Sequence, residues 1–410
     1  MSDAWESTDL AAVCSDGGVI QTGPFGSQLH AHDYVPKGVP VVMPVNIGDN
    51  RVIGDGIAMV SEADATRLSR HRLRPGDIVY SRRGDITRRA LIRGDNEGWL
   101  CGTGCLLVRP GSAVEPAWLS YWLGSPWTHE HLKRRAVGAT MPNLNTGILS
   151  ELPVDLPPLD QQRAIAHVLG SLDDLVEIDR QEARRARALA SAIGARFLTE
   201  VAAIAPRTTL PEIAEIAKGY SYSSAELAPG GGSWLVGLKN VGRDGSFQRR
   251  GFKPLTPLAV KEQQVIDNGD VVVAQTDLTQ QREVVGRPVR VRRGLLAGRF
   301  VASLDLVIVR PRSGFTREYV FAALSSAEFR SHALAYCNGT TVVHMGARAL
   351  PEFEVPVPPM DSMQRLSECV RPLWELADQA DAEADRLERI RDELLPLLMS
   401  GRIRPGEVTS

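Results

Sequence analysis

The chain makes one transition twice, and that repetition limits its fold more than any other feature. "DLPPLDQQRAIAHVLGSLDDLVEIDRQ" (Asp155–Gln181) passes from a double proline straight into a helical pattern. "PVPPMDSMQRLSECVRPLWELADQ" (Pro356–Gln379) does so again, with Pro158 and Pro359 201 positions apart. Proline has no N–H and disfavours helix in the residue before it, so each pair ends the preceding strand. Asp160 and Asp361 follow as expected N-caps. Apolar or small residues then recur in alternating steps of three and four. In the first stretch they are Ile165, Val168, Leu172, Leu175, Ala183, Ala186, Ala190, Ile193 and Phe197. In the second they are Leu366, Val370, Leu373, Ala377, Ala380, Ala384, Leu387, Ile390 and Leu394. That spacing predicts two heptad-seamed helices of about 35–40 residues, roughly 55 Å each at 1.5 Å per residue. Two long helices, equally placed and fenced by prolines, pack most simply on each other as an antiparallel pair. Pro372 is expected to break or kink the second.

The regions before the two helices also correspond. "RPGDIVYSRRGD" (Arg74–Asp85) pairs with "DNGDVVVAQTDL" (Asp267–Leu278), each a turn, Gly-Asp and a Val/Ile strand. "VVMPVNIGDN" pairs with "SWLVGLKNVGRDG", setting Asn46 over Asn240. "GCLLVRPGS" answers "LDLVIVRPRSG", and "PAWLSYWLGSPWTHEHL" answers "REYVFAALSSAEFRSHAL". The order of elements is the same in both halves although few residues are identical, as expected of duplication followed by divergence. Each half reads as about 150 residues of short strands with one amphipathic helix, near Trp118–His131 or Tyr319–Ala335, and then one long helix. The expected class is α+β. Two tandem mixed α/β domains are separated by two long helices that form an antiparallel coiled coil, a pseudo-two-fold repeat. The expected limits are 1–155 and 205–357 for the domains, 156–204 and 358–400 for the helices, and 401–410 for a tail.

Composition excludes more than it assigns. Five sparsely spaced cysteines give no disulfide framework, and "CGTGC" lacks a second pair at finger-like spacing. With no apolar run near the roughly 20 residues of a membrane span and no basic-then-apolar leader, a cytoplasmic protein without a membrane partner is expected. The net charge of −2 gives no global nucleic-acid signal, but charge is segregated. "SRRGDITRRALIR" holds five arginines and "REVVGRPVRVRRGLLAGR" six, while acids collect in the long helices. Such local patches can hold phosphate on a neutral protein. Catalytic signatures are missing. The chain has no GxxxxGK[ST] loop, no GxSxG elbow, no HExxH, and no Asn/Asp-Pro-Pro-aromatic motif of amino-methyltransferases. "HAHD" (His30–Asp33) offers two imidazoles and a carboxylate but reads more simply as a polar loop. Duplicated modules, arginine clusters and spacer helices without a catalytic centre describe a recognition scaffold.

These residues carry a resemblance. "LPPLDQQRAIAHVLGSLDDLVEID" is similar to the segment after each target-recognition domain in the specificity subunits of type I restriction–modification systems. "TGPFGSQL", "RPGDIVYSRRGD" and "VGATMPNLNTGILSELPVDLPPL" resemble further elements of that family, in the same order. The second half departs from the pattern, with "KGYSYSSAEL" for the Pro-Phe-Gly-Ser loop and "AQTDL" for "SRRGD". The resemblance implies a non-catalytic subunit whose two domains each read one half of a split sequence in double-stranded DNA. Its helices would set the spacing and dock two modification subunits. Those subunits bind S-adenosylmethionine and methylate a flipped adenine. Restriction subunits using ATP and Mg join where present, and this chain binds no cofactor itself. A DNA-independent assembly scaffold and an enzyme with an unrecognised centre are the competing readings.

Arg82, Arg83, Arg88 and Arg89 are the expected phosphate contacts, against the alternative of a solvated basic face paired with Asp85. Gln275, Thr276, Gln280, Gln281 and Arg282 lie beyond a strand end and are the expected base readers, since Gln pairs with adenine and Arg with guanine. An ordinary polar hairpin is the alternative there. Thr140 and Asn143 in one late loop, and Thr340, Thr341 and His344 in the other, complete the set. No metal ligand is expected.

Overall fold

A computed structural model describes residues 5–136, 143–228, 230, 232–279 and 281–408. The chain divides into two compact units. One comprises Met1–Asp174 with Leu387–Ser410, and the other Leu175–Arg386.

In the first unit, strand Cys105–Arg109 lies between Val19–Thr22 and Ile78–Ser81, antiparallel to both. Ile78–Ser81 also pairs with Arg89–Leu91. Ile78, Val79 and Tyr80 are fully buried, as their unbroken apolar run requires of a central strand. The "GD" before this strand now has a physical reason. Gly76 adopts φ +91°, a conformation that favours glycine. The Asp77 carboxylate accepts the Arg74 N–H at 2.7 Å and receives Arg109 in a two-pronged ion pair at 2.6 and 2.7 Å.

The second unit repeats the arrangement. Leu306–Pro311 lies between Ala214–Lys218 and Val271–Ala274. Gly269 takes φ +89°. Asp270 accepts the Asp267 N–H at 3.0 Å and is held by Arg310 at 2.7 and 3.1 Å. Asn46 and Asn240 are equally matched. Each Oδ1 accepts an N–H three residues back (Met43, Gly237), and each Nδ2 donates to a later carbonyl (Ile53, Gln248).

In each domain the single amphipathic helix expected from the sequence is two helices. Pro116–Leu123 and Pro126–Arg135 are separated at Gly124-Ser125, and Arg317–Ser325 and Ala327–Ala335 at Ser326. The sequence contains the reason. The Ser125 and Ser326 hydroxyls cap the second helix by accepting the N–H of Thr128 and Phe329. Pro126 at N1 then cannot continue the preceding helix.

The long helices run Leu159–Ala202 and Met360–Met399. Asp160 and Asp361 fall inside the first turn rather than at the cap, because the Pro158 and Pro359 carbonyls already accept the first helical N–H groups. Pro372 does not break its helix. It is exposed, as is Glu368, whose carbonyl loses its helical partner and can turn to water. In the second unit Ala183 and Ala186 meet Ala377 and Ala380, while Ala190 and Leu198 share a core with Leu366, Val370 and Trp374. Partners descend along one helix as they ascend along the other, so the pairing is antiparallel. In the first unit Ile165, Ala166 and Leu169 pack with Leu395, Leu398 and Met399. Two residues assigned to the seam, Leu175 and Ile390, are instead exposed.

Candidate nucleic-acid interface

In each unit the buried central strand ends in a polar hairpin, and the late loop returns to lie beside it. In the first unit the Leu144 N–H donates to the Arg82 carbonyl at 2.9 Å, and Arg83 bridges to Asn143. In the second the Met345 N–H donates to the Gln275 carbonyl at 2.8 Å, and Thr276 pairs with His344. Arg82 and Gln275 are therefore equivalent positions, as are Arg83 and Thr276, and Asn143 and His344. Segments about 60–70 residues apart in sequence form one surface.

Both hairpins are shaped by an Asp-x-Thr turn. The Asp85 Oδ1 accepts the Thr87 N–H at 3.2 Å and hydroxyl at 2.6 Å. The Asp277 Oδ1 accepts both groups of Thr279 at 2.7 Å. Burial pushes both carboxyls up, but the hydrogen bonds outweigh it and hold them below the usual range. The second hairpin is the more tightly built, because the Asp277 Oδ2 also accepts the N–H groups of Val284 and Val285 at 2.5 and 3.0 Å.

The expected contact residues separate by exposure. Arg83 is exposed, and Arg82 and Arg88 are half-buried. The Arg82 side chain donates to the Leu144 carbonyl at 3.0 Å and that of Arg88 to the Pro44 carbonyl at 3.4 Å. Gln281, Thr340, Thr341 and His344 are exposed, and Gln275 and Arg282 half-buried. Two expectations are corrected. Arg89 is an interior residue, since its Nε donates to the Ser120 carbonyl at 2.5 Å and a Cβ on Gly124 would strike its guanidinium. It lies on the strand that pairs with Ile78–Ser81, where alternation sends it inward. Thr276 is also buried, its hydroxyl donating to Asp305 at 2.9 Å. Thr140 and Gln280 lie outside the described residues.

Two residues not anticipated from the sequence also touch the hairpins. His129 lies beside Asp85 and Thr87 of the first hairpin, and Arg330 donates to the Arg282 and Val285 carbonyls of the second. Elsewhere, His30, His32 and Asp33 bring three ligand-type atoms within 4.8 Å. Both imidazoles face the Asp33 carboxylate itself, at 3.6 and 3.3 Å, and Arg67 stands 4.0 Å from it. That is the geometry of a hydrogen-bonded polar turn. All five cysteines are free. Among the described residues, no helix is long and apolar enough to cross a membrane.

Comparison with known proteins agrees with this architecture. Residues 49–186 match the type I restriction modification DNA specificity domain. A type I restriction enzyme specificity subunit of Methanocaldococcus jannaschii is 22% identical over 98% of this chain and 94% of its own. One from Haemophilus influenzae is 24% identical over 46% of this chain and 41% of its own. The crystal structure of a type I restriction–modification S subunit from M. genitalium shares the fold, with a TM-score of 0.57 over 97% of both chains at 16% identity. Along nearly its whole length the chain is thus similar to type I restriction enzyme specificity subunits, and residues 49–186 match the DNA specificity domain of those systems.

Proposed function

We propose that this subunit reads a bipartite, gapped DNA target, one half-site for each recognition domain, 1–155 and 205–357. The observation that carries this reading is the hairpin and late-loop surface, built twice on one backbone plan but furnished differently. The first bears Arg82, Arg83, Arg88 and Asn143, and the second Gln275, Gln281, Arg282, Thr340 and His344. Equal backbones with unequal side chains suit two half-sites of different sequence. The arginines hold phosphate and set register, while Gln275, Gln281 and Arg282 read base edges.

The long helices, 156–204 and 358–400, fix the separation of the half-sites and dock two modification subunits. Those subunits supply S-adenosylmethionine and the methyl-transfer chemistry. Restriction subunits with ATP and Mg join where present. This chain works in the cytoplasm and holds no cofactor of its own. The test is adenine-methylation mapping across a genome that expresses the chain with its modification subunit. The expected outcome is one split motif with a constant gap, and exchange of residues 1–155 for a relative's domain changes one half alone. An undivided motif, or one unaffected by the exchange, refutes the reading.

A further inference from the structure

The two unanticipated residues hold the same position. Ser125 and Ser326 cap equivalent helices, and the fourth residue after each cap is His129 or Arg330. Each donates its own backbone N–H to the cap carbonyl at 3.0 Å. Each side chain then faces the polar hairpin of its own domain, His129 beside Asp85 and Thr87, and Arg330 donating to two carbonyls, Arg282 and Val285.

The second hairpin shows what this support does. Arg282 sits at φ +55°, a left-handed conformation uncommon for a residue with a side chain. Its N–H donates to the Thr279 carbonyl at 3.1 Å, and its carbonyl is taken by Arg330. Asp277 gathers the N–H groups of Val284 and Val285 from the other side. Gly286 lets the hairpin approach the helix closely, since a Cβ there would lie 2.8 Å from Ala333. Arg330 is thus the only helix-borne side chain among these contacts, and it closes the turn around Arg282.

Beside the first hairpin His129 is half-buried, with its Nε2 shielded from solvent and without a hydrogen-bond partner among the described residues. Desolvation, and then the nearby charges of Arg89 and Lys133, bring its pKa down to about 4, so the ring is neutral at physiological pH. A neutral imidazole fills the space beside the hairpin without adding charge beside the arginines.

We propose that His129 and Arg330 are equivalent positioning residues that set the conformation of the reading hairpin in their own domains, and through it the sequence selectivity of one half-site each. This rests on the bipartite reading above. Neither side chain contacts DNA in this proposal, and Arg330 acts through Arg282.

The experiment uses the full chain assembled with its modification subunits. Duplexes randomised over both half-sites are methylated and sequenced, and binding is measured from low to moderate salt. Arg330→Met keeps bulk and helix propensity but removes both donors. It should cost about tenfold in discrimination at one half-site, leaving the other unchanged, because a loosened reader loses much of a directional contact. His129→Phe should do the same at the opposite half-site. Arg330→Lys, able to reach one carbonyl, should fall between. The slope of log affinity against log salt should stay constant in all three. A slope smaller by about one in Arg330→Met would make Arg330 a phosphate contact and overturn the proposal. Unaltered selectivity, or equal loss at both half-sites, overturns it as well. His129→Phe lies in the other domain and decides the matter even if Arg330→Met fails to fold. A wild-type complex that methylates an undivided site would instead refute the bipartite reading itself.

Discussion

Single side chains decide whether a sequence motif is a surface or an interior feature. Asp277 looks like an ordinary turn carboxylate, yet it is buried and accepts four hydrogen bonds that close its hairpin. Asp277→Asn keeps one acceptor oxygen but turns an NH₂ group toward the Val284 and Val285 donors. The expected loss is about 2–3 kcal/mol, measured by urea unfolding at neutral pH. The pH dependence has a definite sign. The folded carboxyl is held below its ordinary value, so its contribution is present above the unfolded pKa of about 3.9 and disappears as pH falls through the folded one. The wild type should therefore lose stability in that acidic window, and the Asn variant should lack this component. Arg89 shows why such residues are poorly legible. It stands in "SRRGDITRRALIR" beside Arg88 with nothing in composition to separate them. Only strand pairing puts Arg88 at the rim and Arg89 against Ser120.

Elements were more legible than their interruptions. Periodicity of three and four identified both long helices, because a buried seam leaves a repeating trace. The interruptions depend on local hydrogen bonding that periodicity does not record. Ser125 and Ser326 divide what reads as one amphipathic helix, since a serine hydroxyl can replace the missing helical acceptor. Pro372 shows the opposite case. A proline in a helical pattern signals a break, but on an exposed face the lost bond is left to water and the helix persists. The residue still destabilises its helix relative to a residue with an N–H. Pro372→Ala should restore the bond to the Glu368 carbonyl and stabilise the second unit by about 1–3 kcal/mol. Thermal melting of the full chain measures this, and an unchanged or lower midpoint contradicts it. The paired contact surfaces lay between these extremes. The partners were legible as separate stretches, but the adjacency of Arg83 to Asn143 and of Thr276 to His344 came from the fold.

At the scale of the whole molecule, duplication was readable because equivalent structural needs preserve residue types: Gly-Asp before the central strand, and Asn at the matched turn. The composition of each unit was not readable, because it depends on which distant helix segment returns to which domain. Met1–Asp174 is completed by Leu387–Ser410, while Leu175–Arg386 is continuous. Arg391 makes the connection chemically explicit. It donates to the buried carboxylate of Asp173 at 2.7 Å and to Asp49 at 2.8 Å, and Asp173 also accepts the Tyr121 hydroxyl at 2.6 Å. Burial pushes the Arg391 guanidinium pKa down, but Asp49 and Asp173 outweigh that and raise it above its ordinary value. Arg391→Met leaves Asp173 a buried carboxylate without its cation, which costs about 3–5 kcal/mol. The loss should fall on the first unit alone, although residue 391 lies nearer in sequence to the second. Hydrogen exchange resolved by segment is the suitable measurement. Amides of the strands Ile78–Ser81 and Cys105–Arg109 should lose protection, while those of Val271–Ala274 and Leu306–Pro311 keep theirs. Equal loss in both sets would mean that the two units unfold as one, and that Arg391 serves the chain rather than the unit it completes.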